Sequence, residues 1–323
     1  MSVPVAPLFA GNAHSVRALR PLESEAIANP FITAVDGAAA VLANDGRLRW
    51  VGERNGVPAV VTTPTPCRFT PERHTRMWTI APRVALDGAG HVCCIHEGDD
   101  VAAAGAYCAT LAYDAPVRFR RARTSAAPEG AGSGDGAIAL FARDVWCTAD
   151  AGESMRFTFR GDLEQGLSWA SCTRAGDVVA AGGTRAPGSR FYQTVRTARL
   201  GGALTRVPGL DRGEPLDLRA MLDGSMRAIV ANDAGALLAV RSASGTLVST
   251  ALENALPIAI GAWGSTGAVW TSRGNIGVIR AAGGTAERTI DPPLTVPLAT
   301  ATRIGRELVG VARDGTMMIL SRD

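Results

Sequence analysis

The chain has 323 residues, of which 46% are hydrophobic, and its 33 basic and 30 acidic side chains leave a net charge of +3. This balance excludes a disordered chain, which would combine low hydrophobicity with high net charge. The six cysteines are too few for a fold built on disulfides, and no apolar run approaches the roughly 18 residues of a membrane-spanning helix. The abundance of Val, Thr, Ile and Gly favours strands and turns.

The first ten residues lack the basic region followed by an apolar region that marks a secretory signal, and Pro4 and Pro7 interrupt them. The sequence therefore predicts a cytoplasmic location, with export by a signal-independent route as an alternative. The next segment, residues 14–20, alternates apolar and polar residues and is predicted to be a strand.

A pattern of two apolar strands joined by a tight turn, followed by a second turn and a third strand, recurs along the chain. The clearest copies span residues 31–50, 218–240, 258–279 and 298–320, and weaker copies span 83–112, 138–159 and 167–195. The first turn falls at Gly in most copies, and at residues 143–144 in the third. The second turn falls on pairs such as Asp45–Gly46 and Asp314–Gly315, which suit two-residue hairpins because both central residues take positive φ.

Seven copies of a strand-rich unit of about 40 residues predict an all-β fold, a seven-bladed β-propeller in a single domain of residues 1–323. The last copy ends after three strands, so the segment 14–20 is predicted to supply the missing fourth strand and close the ring. The predicted blades lie near residues 31–64, 77–123, 137–162, 167–209, 215–252, 256–292 and 296–323. Residues 124–136, rich in Gly, Ala and Ser, are predicted to be a flexible insertion between two blades.

The segment His91–His96 contains two His and two Cys, the densest group of metal-ligating residue types in the chain. Side chains alternate along a strand, so His91 and Cys93 share one face while Cys94 and His96 share the other. This geometry favours core packing over a zinc site or a disulfide between the adjacent cysteines, and no metal or cofactor is predicted. The cysteines are predicted to be buried free thiols.

A basic run with one aromatic residue contains Arg118, Phe119, Arg120, Arg121 and Arg123. Alternation would place Arg118 and Arg120 on one face and Phe119 and Arg121 on the other. Such a run can bind an anionic partner, or it can be a solvated outer strand whose charges prevent edge pairing. Because the net charge is low and acidic residues are scattered throughout, nucleic acid is not the predicted partner.

The segment 148–155 resembles the Asp-box hairpin of β-propeller repeat proteins, a Ser/Thr-x-Asp-x-Gly-x-Ser/Thr motif followed by an aromatic residue. Thr148, Asp150, Gly152 and Ser154 match the polar and glycine positions, and Met155 replaces the aromatic residue. The resemblance implies a structural turn in which the Asp side chain bonds loop amides. The chain also resembles WD-repeat proteins in architecture, but it contains no Trp-Asp dipeptide.

The repeats lack a convergent catalytic set, so the sequence predicts a non-catalytic scaffold that binds a protein partner, without a cofactor and without a membrane. Three alternatives remain open. A carbohydrate-binding propeller would present aromatic side chains at equivalent positions, as Trp146 and Trp270 suggest, and a sialidase-like hydrolase would need Tyr107, Tyr113 or Tyr192 as its nucleophile. The absence of Lys from the chain admits a delivered effector or a component of a toxin or secretion carrier, although codon bias in a GC-rich, bacterial genome also explains it.

Overall fold

The computed structural model describes residues 16–69, 81–97, 104–160, 167–184, 192–199, 202–210, 214–232, 235–252, 261–263, 267–272, 275–280, 286–289 and 298–322. In this part of the chain, 28 strands form seven four-stranded sheets, and every strand pair is antiparallel. The prediction of an all-β, seven-bladed propeller is confirmed. Among the described residues there is no helix that could span a lipid bilayer.

Each blade takes its strands in chain order from the propeller axis outward. Blade 1 contains β2 (Phe31–Val35), β3 (Ala38–Leu42), β4 (Arg47–Arg54) and β5 (Val57–Pro64). Blade 2 contains β6 (Val84–Leu86), β7 (His91–His96), β8 (Gly105–Thr110) and β9 (Arg120–Arg121). Blade 3 contains β10 (Gly130–Ser133), β11 (Ile138–Phe141), β12 (Asp144–Thr148) and β13 (Arg156–Arg160). Blade 4 contains β14 (Leu167–Cys172), β15 (Val178–Thr184), β16 (Tyr192–Ala198) and β17 (Thr205–Arg206).

The remaining three blades follow the same order, except that the last one takes its outer strand from the N-terminal segment. Blade 5 contains β18 (Glu214–Ala220), β19 (Met226–Asn232), β20 (Gly235–Arg241) and β21 (Leu247–Leu252). Blade 6 contains β22 (Gly261–Trp263), β23 (Gly267–Ser272), β24 (Asn275–Arg280) and β25 (Ala286–Thr289). Blade 7 contains β26 (Leu298–Ile304), β27 (Glu307–Ala312), β28 (Met317–Arg322) and β1 (Val16–Glu23).

The ring is closed by β1, which pairs antiparallel with β28 so that Val16 lies opposite Arg322 and Glu23 opposite Met317. The closing strand was predicted at residues 14–20. In the structure it extends to Glu23, while residues 14 and 15 lie outside the described part of the chain. This pairing covers an edge of β28 that would otherwise be open to other strands.

The hydrophobic core is divided among the spaces between neighbouring blades. Leu42 and Leu48 of blade 1 pack against Val84 and Leu86 of blade 2, and equivalent clusters lie between blades 2 and 3, 3 and 4, 4 and 5, and 7 and 1. Each four-stranded sheet has two faces, and each neighbouring blade covers only one of them. The blades therefore depend on one another for burial, which is the physical basis of the repeat.

Consecutive strands of a blade run in opposite directions, so the first and third turns of every blade lie on one face of the disc. We call this the turn face. In the described part of the chain, the first turns of six blades contain a glycine at positive φ, a backbone conformation that glycine alone adopts without steric cost. Five of these glycines lie where the repeat pattern predicted a turn, at Gly37, Gly88, Gly176, Gly224 and Gly305. The sixth is Gly136 in blade 3.

Blade 3 differs from its sequence prediction. Gly130–Ser133 lies in the predicted flexible insertion, yet it is β10, the buried innermost strand of the blade. The predicted first turn at residues 143–144 is therefore the second turn, and the blade begins near residue 130 instead of 137. The glycines have a packing role, since a Cβ on Gly132 or Gly134 would overlap the backbone carbonyl oxygen of Ala170 or Cys172 in blade 4. Low side-chain volume here allows two blades to approach closely.

Buried polar side chains join the innermost strands around the axis. Ser133 Oγ accepts a hydrogen bond from the Leu86 amide of blade 2 and lies 2.9 Å from Thr33 Oγ1 of blade 1. Ser171 Oγ of blade 4 donates to the Ser133 carbonyl at 2.7 Å. Arg219 of blade 5 reaches across to donate to the Ala34 carbonyl of blade 1 at 2.9 Å, which places a buried guanidinium on the axis.

Candidate functional site

Four arginines surround the outermost strand of blade 2 and form the densest group of exposed cations that the sequence singled out. Arg120 and Arg121 form β9, and Arg118 and Arg123 flank it. All four are exposed. We call these four residues the basic edge, because β9 pairs with β8 on one side only.

The residues between the arginines anchor the basic edge to the core. Phe119 packs against the hydrophobic cluster between blades 1 and 2, and Ala122 is buried in the cluster between blades 2 and 3. Arg121 lies opposite Tyr107, which packs with Phe119 in the cluster between blades 1 and 2, so Phe119 and Arg121 share one face as alternation predicted. Arg120 lies opposite Cys108 and reaches Glu153 of blade 3 on the other face.

Two of the four guanidinium groups have contacts, and both contacts leave them accessible. Arg120 Nη1 lies 3.2 Å from Glu153 Oε1 in an ion pair whose side chains are 72% and 66% exposed. Arg121 Nη2 donates to the Ala104 carbonyl at 2.7 Å. Arg118 and Arg123 form no ion pair with any of the described residues. An exposed ion pair is weak, so an anionic partner can compete for Arg120.

The turn that resembles an Asp box connects β12 to β13 and lies beside the basic edge. Thr148 Oγ1 donates to Asp150 Oδ1 at 2.8 Å and accepts from the Gly152 amide, while the Ser154 amide donates to Asp150 Oδ1 at 2.9 Å. Burial acts to raise the pKa of Asp150, but the hydrogen bonds from Ser154 and Thr148 hold it below its ordinary value. All these bonds are internal to the turn. The turn also supplies Glu153, which pairs with Arg120.

His96 adds a titratable group close to the basic edge. Its Nδ1 accepts a hydrogen bond from the Arg68 amide at 3.0 Å, so the ring is held neutral in this geometry. Burial, together with the positive charges of Arg68 and Arg121, lowers the pKa of His96 below its ordinary value of 6.5.

We predict that this histidine makes the fold less stable in mild acid. The unfolded chain takes up a proton near pH 6.5, whereas folded His96 resists it, so stability is lost as the pH falls from that value towards the lower folded pKa. His96→Asn keeps an acceptor for the Arg68 amide and removes the titration. Thermal unfolding at about pH 7.5 and about pH 5.5 should show a smaller pH-dependent drop for the variant than for the wild type. Equal drops in both proteins would contradict this assignment.

The segment His91–His96 forms β7 and does not assemble a metal site. Cys93 is bonded to Cys108 of the neighbouring strand, and among the described residues no three His, Cys, Asp or Glu side chains are grouped to hold a metal ion. His91 Nδ1 lies 2.6 Å from the buried carboxylate of Asp87. Asp87 also accepts hydrogen bonds from the amides of Ala89 and His91, so the pair closes the first turn of blade 2.

The prediction that the cysteines are buried free thiols is wrong for four of the six. Cys93 and Cys108 are directly opposite each other on β7 and β8 and form one disulfide, and Cys147 of blade 3 and Cys172 of blade 4 form another. Alternation along a strand identified the face of each cysteine. It could not show which strands or blades would lie opposite.

The aromatic side chains that the alternative functions require are largely committed to packing. Trp146 and Trp50 are buried, so neither presents a ring face for stacking on a sugar. Tyr113 packs at a tilt against the Trp50 ring and lies beneath the Arg54 guanidinium, and burial raises the pKa of Tyr113 to about 12. A phenolate nucleophile is therefore costly at this position. The side chains of Trp270 and Tyr192 fall outside what the structure describes.

A cavity of about 220 Å³ lies on the turn face between blades 4 and 5. Asp177, Arg199, Arg241 and Met226 are among its lining residues. They come from separate strands and turns of two blades, and no local sequence pattern connects them. The cavity is smaller than the roughly 300–1,000 Å³ of a typical ligand site.

Comparison with solved structures identifies propellers of several kinds. Virginiamycin B lyase from Staphylococcus aureus superposes with a TM-score of 0.59 at 14% identity, covering 95% of this chain and 99% of the lyase. The WD40 propeller domain of Doa1 gives a TM-score of 0.60 at 12% identity over 95% of this chain and 97% of that one. YCF48 bound to D1 peptide gives 0.56 at 12% identity, with both chains fully covered. The sequence matches no protein-family model and no curated protein. The structural similarities show the propeller fold.

Proposed function

We propose that this propeller is a non-catalytic scaffold that binds an acidic segment of a protein partner at the basic edge. The observation that carries the proposal is the exposure of four guanidinium groups on and beside the short outer strand β9, held in place by the partly buried Phe119 and the buried Ala122. Arginine suits this role because its planar group binds carboxylates through two parallel hydrogen bonds.

The charge distribution favours a peptide over a nucleic acid. The chain carries a net charge of only +3, and the basic edge is confined to one blade. Nucleic acids are bound through many phosphate contacts, which require a longer basic surface. Four guanidinium groups on and beside one short strand instead match a few carboxylates on an extended segment.

The side chains on the propeller axis support the proposal that the protein is a scaffold. Arg219 spans from blade 5 to blade 1 at the level of Ala34, and Ser133 and Ser171 link the inner strands nearby. These side chains occupy the axis at this level, so binding at the outer edge does not compete with an axial ligand there. Among the structural neighbours, one propeller is bound to a peptide, which also supports a protein partner.

Charge reversal tests the proposal. The double variant Arg118→Glu with Arg123→Glu should weaken binding of a fluorescent polyglutamate peptide about tenfold or more, since each reversed charge turns attraction into repulsion. Fluorescence anisotropy measures the dissociation constant. Wild-type affinity should also fall as salt is added, because exposed charges are screened.

The matched control uses the equivalent outer strand of blade 4. Arg199 and Arg206 are also exposed, and Arg206 lies in the two-residue strand β17. The variant Arg199→Glu with Arg206→Glu carries the same change in net charge and should bind the peptide as tightly as the wild type. Equal weakening by both double variants, or tighter binding of duplex DNA than of the peptide, would rule out a specific acidic-peptide site at the basic edge.

A further inference from the structure

All six cysteines of the chain lie in the described part, and they fall into three pairs. Cys93 is bonded to Cys108 and Cys147 to Cys172, while Cys67 and Cys94 are free thiols buried in the same hydrophobic cluster between blades 1 and 2. Every one of them is at most 5% exposed. The two free thiols therefore lie in one buried cluster, and the other four cysteines form two disulfides.

The two disulfides and the shared cluster bring together positions that are distant in sequence and belong to different elements. Cys67 follows blade 1 and meets Cys94 in β7 of blade 2, whereas Cys147 in β12 meets Cys172 at the end of β14. Buried thiols that serve only as small apolar residues have no reason to meet in pairs. Two disulfides, with the remaining two cysteines in one cluster, are instead the pattern of a chain that is oxidised as it matures.

We infer that the mature chain carries three disulfides, the third between Cys67 and Cys94, and that it acquires them from a disulfide-bearing thiol oxidant in an oxidising compartment. The inference does not depend on the proposed scaffold function. It is an alternative to the cytoplasmic location predicted from the N-terminal sequence, because reduced thiols are the rule in the cytosol.

The chemistry is two successive thiol–disulfide exchanges. The Cys67 thiolate attacks one sulfur of the oxidant's disulfide, and the oxidant's second sulfur leaves as a thiolate. Cys94 then attacks the Cys67 sulfur, which forms the new bond and releases the oxidant's first sulfur. The two thiols are oxidised, the oxidant's disulfide is reduced to a dithiol, and the two protons pass to its thiolates.

The burial of Cys67 and Cys94 determines whether they are oxidised before or after blades 1 and 2 dock. Burial raises the pKa of the Cys94 thiol well above its ordinary value, so the folded site holds little of the thiolate that exchange requires. An oxidant also cannot reach sulfurs that are 0% exposed. Exchange therefore takes place while blades 1 and 2 are still docking, and the finished bond is shielded from reductants.

The test is to trap free thiols in the full-length chain isolated from the cells that make it. The chain is denatured without reductant in the presence of N-ethylmaleimide, digested with trypsin and analysed by mass spectrometry. No cysteine should carry maleimide. The chain has no Lys, so trypsin cuts after arginine only, and the peptide 55–68 should be recovered cross-linked to the peptide 84–118.

The outcomes separate the three pairs. Maleimide on Cys67 and Cys94 alone would disprove the third disulfide, and maleimide on all six would disprove the oxidising compartment. A Cys67→Ser variant provides the matched control and should carry maleimide on Cys94 and on no other cysteine. If Cys94 stays unlabelled in this variant, it pairs with a different cysteine and the proposed pairing is incorrect.

Discussion

Replacing Gly132 with alanine is expected to lower the free energy of unfolding by about 3 kcal/mol, the upper part of the range for overpacking a close-packed interior. The added Cβ would overlap the backbone carbonyl oxygen of Ala170, far inside the 3.0 Å that Cβ atoms keep from other heavy atoms. Both atoms belong to innermost strands, β10 and β14, which contact each other along the axis. Relief therefore requires one blade to move away from its neighbour.

The measurement is denaturant unfolding of the wild type and of two test variants. Gly134→Ala should behave like Gly132→Ala, because its Cβ would overlap the carbonyl of Cys172. Gly202→Ala is the control: its Cβ would also face a carbonyl oxygen, that of Arg199, but at 3.2 Å in an exposed loop. The control should lose less than about 1 kcal/mol. A loss at Gly132 no larger than at Gly202 would mean that blades 3 and 4 are not in close backbone contact.

The same segment shows why a strand was mistaken for a linker. Residues 130–134 read Gly-Ala-Gly-Ser-Gly, a composition typical of flexible connections. A sequence predicts a strand from branched and aromatic side chains. In an innermost propeller strand, however, the size of the side chains can be limited by the space that the neighbouring blades leave. That space exists only in the assembled ring, so the sequence does not show it. Within this strand, Ser133 has the side chain that fixes the position of the strand. Its Oγ accepts a hydrogen bond from the Leu86 amide of blade 2 and lies within hydrogen-bond distance of Thr33 Oγ1 of blade 1.

Features that depend on local sequence were predicted well. The Asp45–Gly46 and Asp314–Gly315 turns were located from their residue types, and both glycines take positive φ. The aspartates do not, and four residues separate the paired strands, so the prediction of two-residue hairpins is wrong at these turns. The basic edge was also visible as a run of arginines. Its neighbours were not, since Glu153 lies in the next blade and His96 lies on another strand of the same blade. Cysteine pairing is non-local in the same way, so alternation along β7 could not reveal Cys108 as the partner of Cys93.

Closure of the ring combines a local signal with a non-local one. The strand pattern of the N-terminal segment predicted its pairing with the last blade, and β1 does pair with β28. The side chain that fastens this strand to blade 1 was not predicted. Arg49 of β4 is only 2% exposed, and its guanidinium contacts Glu23, Glu25 and the Gly315 carbonyl. A buried guanidinium therefore joins the end of the closing strand, the segment after it and a turn of blade 7.

Arg49→Met is expected to cost about 3 kcal/mol of unfolding free energy, because it removes a buried guanidinium and leaves one buried and one partly buried carbonyl without their donor. Arg49 Nη1 donates to the Glu25 carbonyl at 2.7 Å and to the Gly315 carbonyl at 3.2 Å, and methionine can replace only the apolar stem. The change should also loosen β1, which trypsin detects as faster cleavage after Arg17. Arg47→Met is the matched control on the same strand. Arg47 also pairs with Glu25, but its side chain is 46% exposed, so its loss should cost less than about 1 kcal/mol and leave tryptic cleavage unchanged. If the two variants lose equal stability, the closing strand is held by its backbone pairing with β28 and not by the buried guanidinium.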